Sequence, residues 1–584
     1  MTLTAIDWAV IALYFVLSIA IALCYSRRAG RSADEYFLSG RAVPWWLAGT
    51  SMVATTFAAD TPLAVTGLTV KYGIAGNWLW WSFAMSGILT VVFYARLWRR
   101  AGVMTDAEFA EIRYSGPPAA FLRGFRACYL ALAINSIIIG WVTAAMAKIV
   151  GMTLGVGKWQ ATVGLFVLTA LYSTLAGLWG VLVTDFFQFV LAMTGCIALA
   201  YFALGAVGGM SGLLAALHAR FPDDAPLRVI PSLDSAWMPA LTFFVYLAVN
   251  WWASWYPGAE PGGGGYVAQR IFSTKNERHA LLAALWFNVA HYVLRPWPWI
   301  VVALASMVLY PGLADPESGY VKVMVDHLPP FWRGFLLAAF FAAYMSTIST
   351  QLNWGASYLV NDVYRRFWAP GRSEAHYAGA GRVATLLMMV VSGIVTLYIG
   401  TVEGAWKFLL AIGAGTGLVY LLRWYWWRVN AWSEVSAMAA ALVFSLWAQL
   451  GFGLSADDPR GFARLLLWTT LATTVVWIAV TYLTRAEPPD RLRAFYQRVR
   501  PGGPGWTAVE PEAGRDATLG AGLVQWALGC LVVYLGLFGI GGLVLGRPLQ
   551  GAVAVVAAAL LTWYLVTATV AATRPAAGSE TGMV

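Results

Sequence analysis

The sequence predicts an all-α protein that threads a membrane many times. Three observations carry this. Of 584 residues, 60% are hydrophobic and only 11% charged; mean hydropathy is +0.66; and apolar runs of spanning length recur along the whole chain. A soluble enzyme cannot bury that much apolar surface, whereas a helix of about 20 apolar residues crosses the hydrocarbon core of a bilayer. About fifteen such segments are expected, at residues 5–25, 43–69, 76–97, 122–150, 158–178, 181–206, 236–257, 280–310, 330–363, 376–400, 403–427, 431–453, 463–484, 521–543 and 549–572. No small-residue cleavage site follows the first, which therefore reads as a retained helix and not a signal peptide.

Charge orients the spans. Arg27, Arg28, Arg31 and Arg41 follow the first segment, and Arg96, Arg99 and Arg100 the third. Arg270, Lys275 and Arg278 follow the seventh, Arg365, Arg366 and Arg372 the ninth, and Arg485, Arg491, Arg493, Arg498 and Arg500 the thirteenth. Every second loop is the basic one. The formal net charge of +10 is thus a positive-inside pattern, not a nucleic-acid footprint. It predicts a plasma (inner) membrane protein with its N-terminus outside and its C-terminus cytoplasmic. Cys24, Cys128, Cys196 and Cys530 all fall within spans and in no metal-ligand spacing, so neither a disulfide nor a metal cluster is expected.

The organisation follows from the helix pattern. Residues 1–42 form an extra helix and a loop, and 43–206 a group of five helices. Residues 236–427 form a second group of five, and 431–484 two further helices. The Pro-, Gly- and charge-rich stretch 485–519 reads as a cytoplasmic connector, and 520–584 as a final helix pair and tail. Two groups of five, an odd number, insert in opposite senses. The first helix of each is interrupted at a comparable depth, one by Thr55-Thr56-Phe57-Ala58-Ala59-Asp60-Thr61-Pro62 and the other between Trp255 and Gly265. Matching breaks in inverted halves point to a binding site at the midplane; a single break of this kind is as often a plain Gly or Pro kink.

The segment 335–360 carries a row of hydroxyls. At 100° per residue, Ser346, Thr347, Ser349 and Thr350 fall within about 160° of one helix face. Hydroxyls on one side of a membrane helix offer the hard oxygen donors that an alkali cation needs in place of water. The alternative fate of any one of them is a bond back to its own helix at the i−4 carbonyl. Asp185 stands at the mouth of another span, either as a helix-start carboxylate or as a functional group costly to keep in lipid. Together these features suggest a sodium-coupled transporter.

At these residues the chain resembles the sodium:solute symporter family, from the first helix to about residue 485. The shared marks are Asp34-Glu35-Tyr36-Phe37-Leu38-Ser39-Gly40-Arg41, Ala176-Gly177-Leu178-Trp179 leading to Thr184-Asp185, Tyr266-Val267-Ala268-Gln269-Arg270, and Met345-Ser346-Thr347 through Asn361-Asp362-Val363-Tyr364-Arg365-Arg366. The resemblance implies the inverted five-helix-repeat fold of amino-acid transporters, with ten core helices flanked by extra ones. It implies a sodium site from the carbonyls of Ala54, Phe57 and Ala343 with the hydroxyls of Ser346 and Thr347. A second site would comprise Thr55, Asp185, Ser349 and Thr350, giving an expected ratio of two sodium ions per solute. Solute would sit beside the breaks, among Thr56, Asp60, Thr61, Trp255, Tyr256, Glu260 and His291.

Two departures argue against a sugar. Leu79 or Trp80 stands where sugar carriers of the family place a carboxylate, and Glu403-Gly404-Ala405-Trp406-Lys407 replaces their Gln-Glu-Tyr. Asp60 with nearby indoles suits an amine or an amino-acid-like zwitterion, unless Asp60 only pairs with Arg295. Among the 31 tryptophans, Trp45, Trp46, Trp424, Trp427 and Trp432 read as membrane-belt residues. Trp78, Trp80, Trp81, Trp251, Trp252 and Trp255 either pack or line a pocket. His291 reads more simply as a packing residue than as a proton carrier, and Glu403 with Lys407 as a helix-surface pair. The expected activity is sodium-driven symport of a small polar organic solute. A proton-coupled carrier using Asp185 or Asp60, or a solute sensor, is the alternative; no output domain follows residue 572, which weighs against the sensor. No nucleophile–base pair or metal constellation suggests an enzyme. The expected partners are the solute, sodium ions and the bilayer, with no nucleic acid and no obligatory protein partner.

Overall fold

The computed structural model describes the backbone of residues 3–29, 37–223, 225–254, 256, 260–515 and 518–572. The regular secondary structure of the described residues is all helix, apart from an isolated bridge between Val43 and Thr274. Ten helices are long and apolar enough to cross a bilayer, and Val402–Gly413 with Thr416–Tyr425, bent by 51°, makes an eleventh. The sequence pattern predicts four more passes, two of which are broken helices. These are Ala5–Ala29, the broken helix Trp45–Thr56 and Thr61–Tyr72, residues 158–170, and the broken helix from Ala240–Ala248 to Gly265–Ser273.

The helical stretch Lys158–Ala206 supplies two of the passes. Lys158 donates to the carbonyls of Leu397 and Ile399 at the end of helix Glu374–Tyr398. Phe202 meets Trp332 at the start of helix Trp332–Ser357. Those two helices are consecutive and antiparallel, so both ends of the stretch lie on one side, and 158–170 and 178–206 run in opposite directions.

The hydroxyl-bearing helix Trp332–Ser357 lies at the centre and is buried along nearly its whole length. The break in the first broken helix has a local cause. Pro62 lacks the N–H that would continue the ladder, and the Thr61 hydroxyl donates instead to the Thr56 carbonyl at 3.2 Å. In the second, Gly262 and Gly263 adopt φ of +79° and +80°, a left-handed conformation that costs other residues 1–2 kcal/mol or so. The bent helix 402–425 meets this second break backbone to backbone. Ser254 donates its N–H to the Gly413 carbonyl at 3.1 Å, and a Cβ on Gly413 or Gly417 would fall against the carbonyl of Ser254 or Trp252.

Ion pairs close both ends of the bundle. On the face bearing the basic loops, buried Arg126 reaches Glu260 at 2.7 Å, Glu434 at 3.3 Å and Asp106 at 3.4 Å, and Arg423 joins Glu434 at 3.2 Å. On the opposite face, Lys148 bridges Asp315 and Glu317 at 2.9 and 3.0 Å. There Glu317 also accepts the N–H groups of Val402 and Glu403 at the start of the bent helix. The Glu403–Lys407 pair is not a surface pair: the two side chains are 5% and 3% exposed, 2.7 Å apart, and Lys71 joins them at 2.7 Å. Trp424 is likewise no belt residue, being fully buried against Trp98 and Phe109. The connector folds back on the basic face, where its helix Pro489–Val499 buries Leu492, Phe495 and Val499.

Candidate functional site

The first broken helix and the hydroxyl-bearing helix meet where the sequence places the cation ligands. Thr347 Oγ1 donates to the Thr55 carbonyl at 2.8 Å and to the Ala343 carbonyl at 3.0 Å. Ala54 and Phe57 end the helical run beside it, Phe57 leaving helical geometry at ψ 71°. Ser346 points the other way round the helix and donates to Asp185 Oδ1 at 2.6 Å. Ser51, which the sequence reading does not single out, donates to Asp185 Oδ2. Asp185 is therefore buried inside the bundle, held by hydroxyls from two helices.

The second set of oxygens is arranged differently from expectation. Thr55 and Thr350 hydroxyls lie 3.2 Å apart, but Ser349 donates back to the Ser346 carbonyl of its own helix. Into this set reaches Arg270, fully buried, donating through Nη2 to Thr350 at 2.8 Å and through Nε to Ser51 at 3.2 Å. A guanidinium thus stands among the four expected ligands. The sequence reading counts Arg270 among the basic loop residues after the seventh segment and within a shared motif; its full burial corrects the loop reading, and nothing in hydropathy or spacing shows that its side chain turns inward.

A cavity of about 50 Å³ lies next to the first break, lined by Thr56, Asp60, Thr61, Tyr256 and His291 of the expected solute residues. It is a few times the roughly 10–15 Å³ that one water needs. Trp80, Trp141, Tyr292, Arg295 and Trp406 complete the wall. Glu260 lies outside it, in the ion cluster with Arg126. Trp255 falls outside the described residues.

Charge is unevenly placed around this cavity. Asp60 occupies an N-cap, where a carboxylate normally accepts backbone N–H groups, but makes no such bond. Its Oδ2 accepts from Trp406 Nε1 at 3.3 Å, and Oδ1 has no hydrogen-bond partner among the described residues. Arg295, which also lines the cavity, donates to Thr56 Oγ1 at 3.1 Å and meets His291 Nε2 at 3.1 Å, while His291 Nδ1 lies 2.9 Å from Thr56 Oγ1. Both charged side chains are almost completely buried. Trp80 packs on His291 and Tyr292, whereas Trp78 and Trp81 turn to Phe538 of helix Thr518–Val544.

Two broken helices, one packed on a central hydroxyl-bearing helix and both bordering a small buried cavity, fit a secondary transporter of small solutes. A profile of the sodium:solute symporter family matches residues 36–443, and the chain belongs to that family. It is a multi-pass sodium-coupled solute symporter, not an enzyme. Among similar proteins, a sodium/glucose cotransporter of Vibrio parahaemolyticus is 24% identical over 516 residues, covering 84% of this chain and 92% of the relative. A human sodium/myo-inositol cotransporter 2 is 25% identical over 542 residues, covering 83% and 77% respectively. A solved sodium-coupled sialic acid symporter, substrate-bound and open outward, superimposes with a TM-score of 0.68 at 18% identity. It covers 83% of this chain and 99% of its own, so the two share a fold.

Proposed function

We propose that this symporter carries a small amino-acid-like zwitterion together with one sodium ion. The observation that carries the reading is that Asp60 and Arg295 both line this cavity without forming an ion pair with each other. Buried charges are ordinarily paired, yet no contact within ion-pair distance joins these two. A zwitterion supplies both missing counter-charges, its carboxylate meeting Arg295 and its ammonium Asp60, with Trp80, Trp141 and Tyr256 around its apolar body. With both faces closed by ion pairs, loading requires the walls to part.

The sodium ion sits between the carbonyls of Ala54, Phe57 and Ala343 and the hydroxyl of Thr347, and Ser346, which donates to Asp185 in this structure, turns from it to complete the set. Thr55, Asp185, Ser349 and Thr350 hold no second ion, because the Arg270 guanidinium supplies the positive charge there. Coupling follows from sequence adjacency: residues 54–57 hold the ion, and Thr56, Asp60 and Thr61 line the solute cavity. Ordering this unwound segment for either cargo favours the other, and such coupling is reciprocal. The basic loops lie in the cytoplasm, with the N-terminus outside and the C-terminus inside an inner or plasma membrane.

The test is uptake into proteoliposomes under an inward sodium gradient, with proline, betaine, glucose, inositol and lactate as competitors. Competition by proline, lost in both Asp60→Asn and Arg295→Gln, supports the zwitterion. Competition by glucose or inositol alone, with Asp60→Asn still active, refutes it in favour of the cargo named for the relatives. Competition by lactate alone, dependent on Arg295 and not on Asp60, refutes it in favour of a simple carboxylate.

A further inference from the structure

A second cavity, which shares no lining residue with the solute site, lies on the face away from the basic loops. It has a volume of about 690 Å³ and opens between helix Gly209–Arg220, the strap at residues 225–230, and the turn joining Thr518–Val544 to Pro548–Ala572. Its floor is apolar, from Leu214, Phe538 and Leu545, while Arg228, Arg547 and Gln550 stand at its rim. No carboxylate among the described residues lines it. Both arginines are exposed. The side chains around the opening are apolar and exposed as well: Ile230 at 62%, Leu549 at 77% and Val553 at 62%. In a membrane protein, exposed apolar side chains beside helix ends face acyl chains, which places the two arginines at headgroup depth.

We propose that this cavity binds an anionic phospholipid. The phosphate sits between Arg228 and Arg547, with Gln550 donating to the glycerol or ester oxygens, and the acyl chains run down the Leu549 and Val553 side of the last helix. Charge complementarity selects an anionic headgroup over a zwitterionic one, because a choline or ethanolamine cation would face two guanidinium groups with nothing to pair with. The apolar floor and lip select a lipid over free phosphate. Guanidinium groups favour phosphate through paired, charge-assisted hydrogen bonds.

Occupancy there has a route to the transport machinery. The Val229 carbonyl, in the strap, accepts from Trp78 Nε1 at 2.9 Å. Trp78 lies two residues from Trp80, which forms the solute cavity wall. A lipid bridging the strap to the C-terminal turn clamps this end of the helix Trp78–Trp81 in place. The proposal does not depend on which solute is carried.

The purified full-length chain tests this in detergent, by melting and by native mass spectrometry. Phosphatidylglycerol, phosphatidylcholine and inorganic phosphate are added separately to the unmutated protein and to Arg228→Gln/Arg547→Gln. Two surface charges contribute about 1 kcal/mol each toward an anionic lipid, so retention of phosphatidylglycerol should fall roughly thirtyfold in the double variant. Its melting without added lipid should be unchanged, both side chains being exposed. Equal stabilisation by phosphatidylcholine, or phosphatidylglycerol retained by the double variant, overturns the proposal. Inorganic phosphate reproducing the shift overturns it too, in favour of an anion site.

Discussion

Thr347→Val tests the proposed cation site more cleanly than Ser346→Ala. Valine keeps the branched shape of threonine and removes only the hydroxyl, so the packed centre of Trp332–Ser357 is disturbed little. In the closed structure that hydroxyl touches only the carbonyls of Thr55 and Ala343, two groups at or beside the expected ion. Ser346→Ala is less clean, because it also strips a donor from buried Asp185. Losing one polar partner of a charged group costs about 1.5–3 kcal/mol, equivalent to a 10- to 150-fold rise, roughly, in the sodium concentration for half-maximal transport. Thr347→Ser restores the oxygen and should return most of that loss. The assay is initial uptake rate into proteoliposomes against external sodium at fixed membrane potential, with folded protein quantified by size-exclusion chromatography. A Thr347→Val protein with unaltered sodium dependence removes Thr347, and the site built around it, from the account.

Further predictions concern the charges. A reversal-potential measurement should give one sodium per solute, since a second cation about 4 Å from Arg270 meets a repulsion of about 4 kcal/mol at an effective dielectric of 20; a ratio of two refutes the role given to Arg270. Arg126→Met leaves Glu260, Asp106 and Glu434 crowded without that cation and should destabilise the protein by about 3–5 kcal/mol; an unchanged melting midpoint in detergent rejects the cluster as a fastener. Glu260→Gln should leave solute affinity within about twofold, because Glu260 lies off the cavity; a tenfold loss of binding in a well-folded variant returns it to the solute site.

What was legible in the sequence, and what was not, divides by range. Hydropathy alone places the passes, because each helix must satisfy its own backbone in lipid. The hydroxyl row was legible because four polar side chains in an apolar span are costly without a purpose. Asp60 was legible at the cavity through Pro62, which breaks the helix beside it. Glu260 was not: its partner Arg126 lies 134 residues away, and no local pattern announces that pairing. Arg270 looked like an ordinary cation of a basic loop, and only the three-dimensional fold turns it inward. Lys407 misled in the same way, since an i,i+4 pair with Glu403 reads identically whether it faces water or, as here, a neighbouring helix carrying Lys71.

The glycines at 413 and 417 have a practical consequence. Where the bent helix rests on the second break the nearest atoms are backbone carbonyls, so the joint resembles two bare rails in contact. One added methyl is then a chock: Gly417→Ala cannot close onto the Trp252 carbonyl, yet nothing prevents it from standing open. Such a variant should be arrested in a parted conformation, turning over poorly while still admitting solute from one side. It offers a way to hold the transporter still without cross-linkers or inhibitors, using the smallest change the genetic code allows.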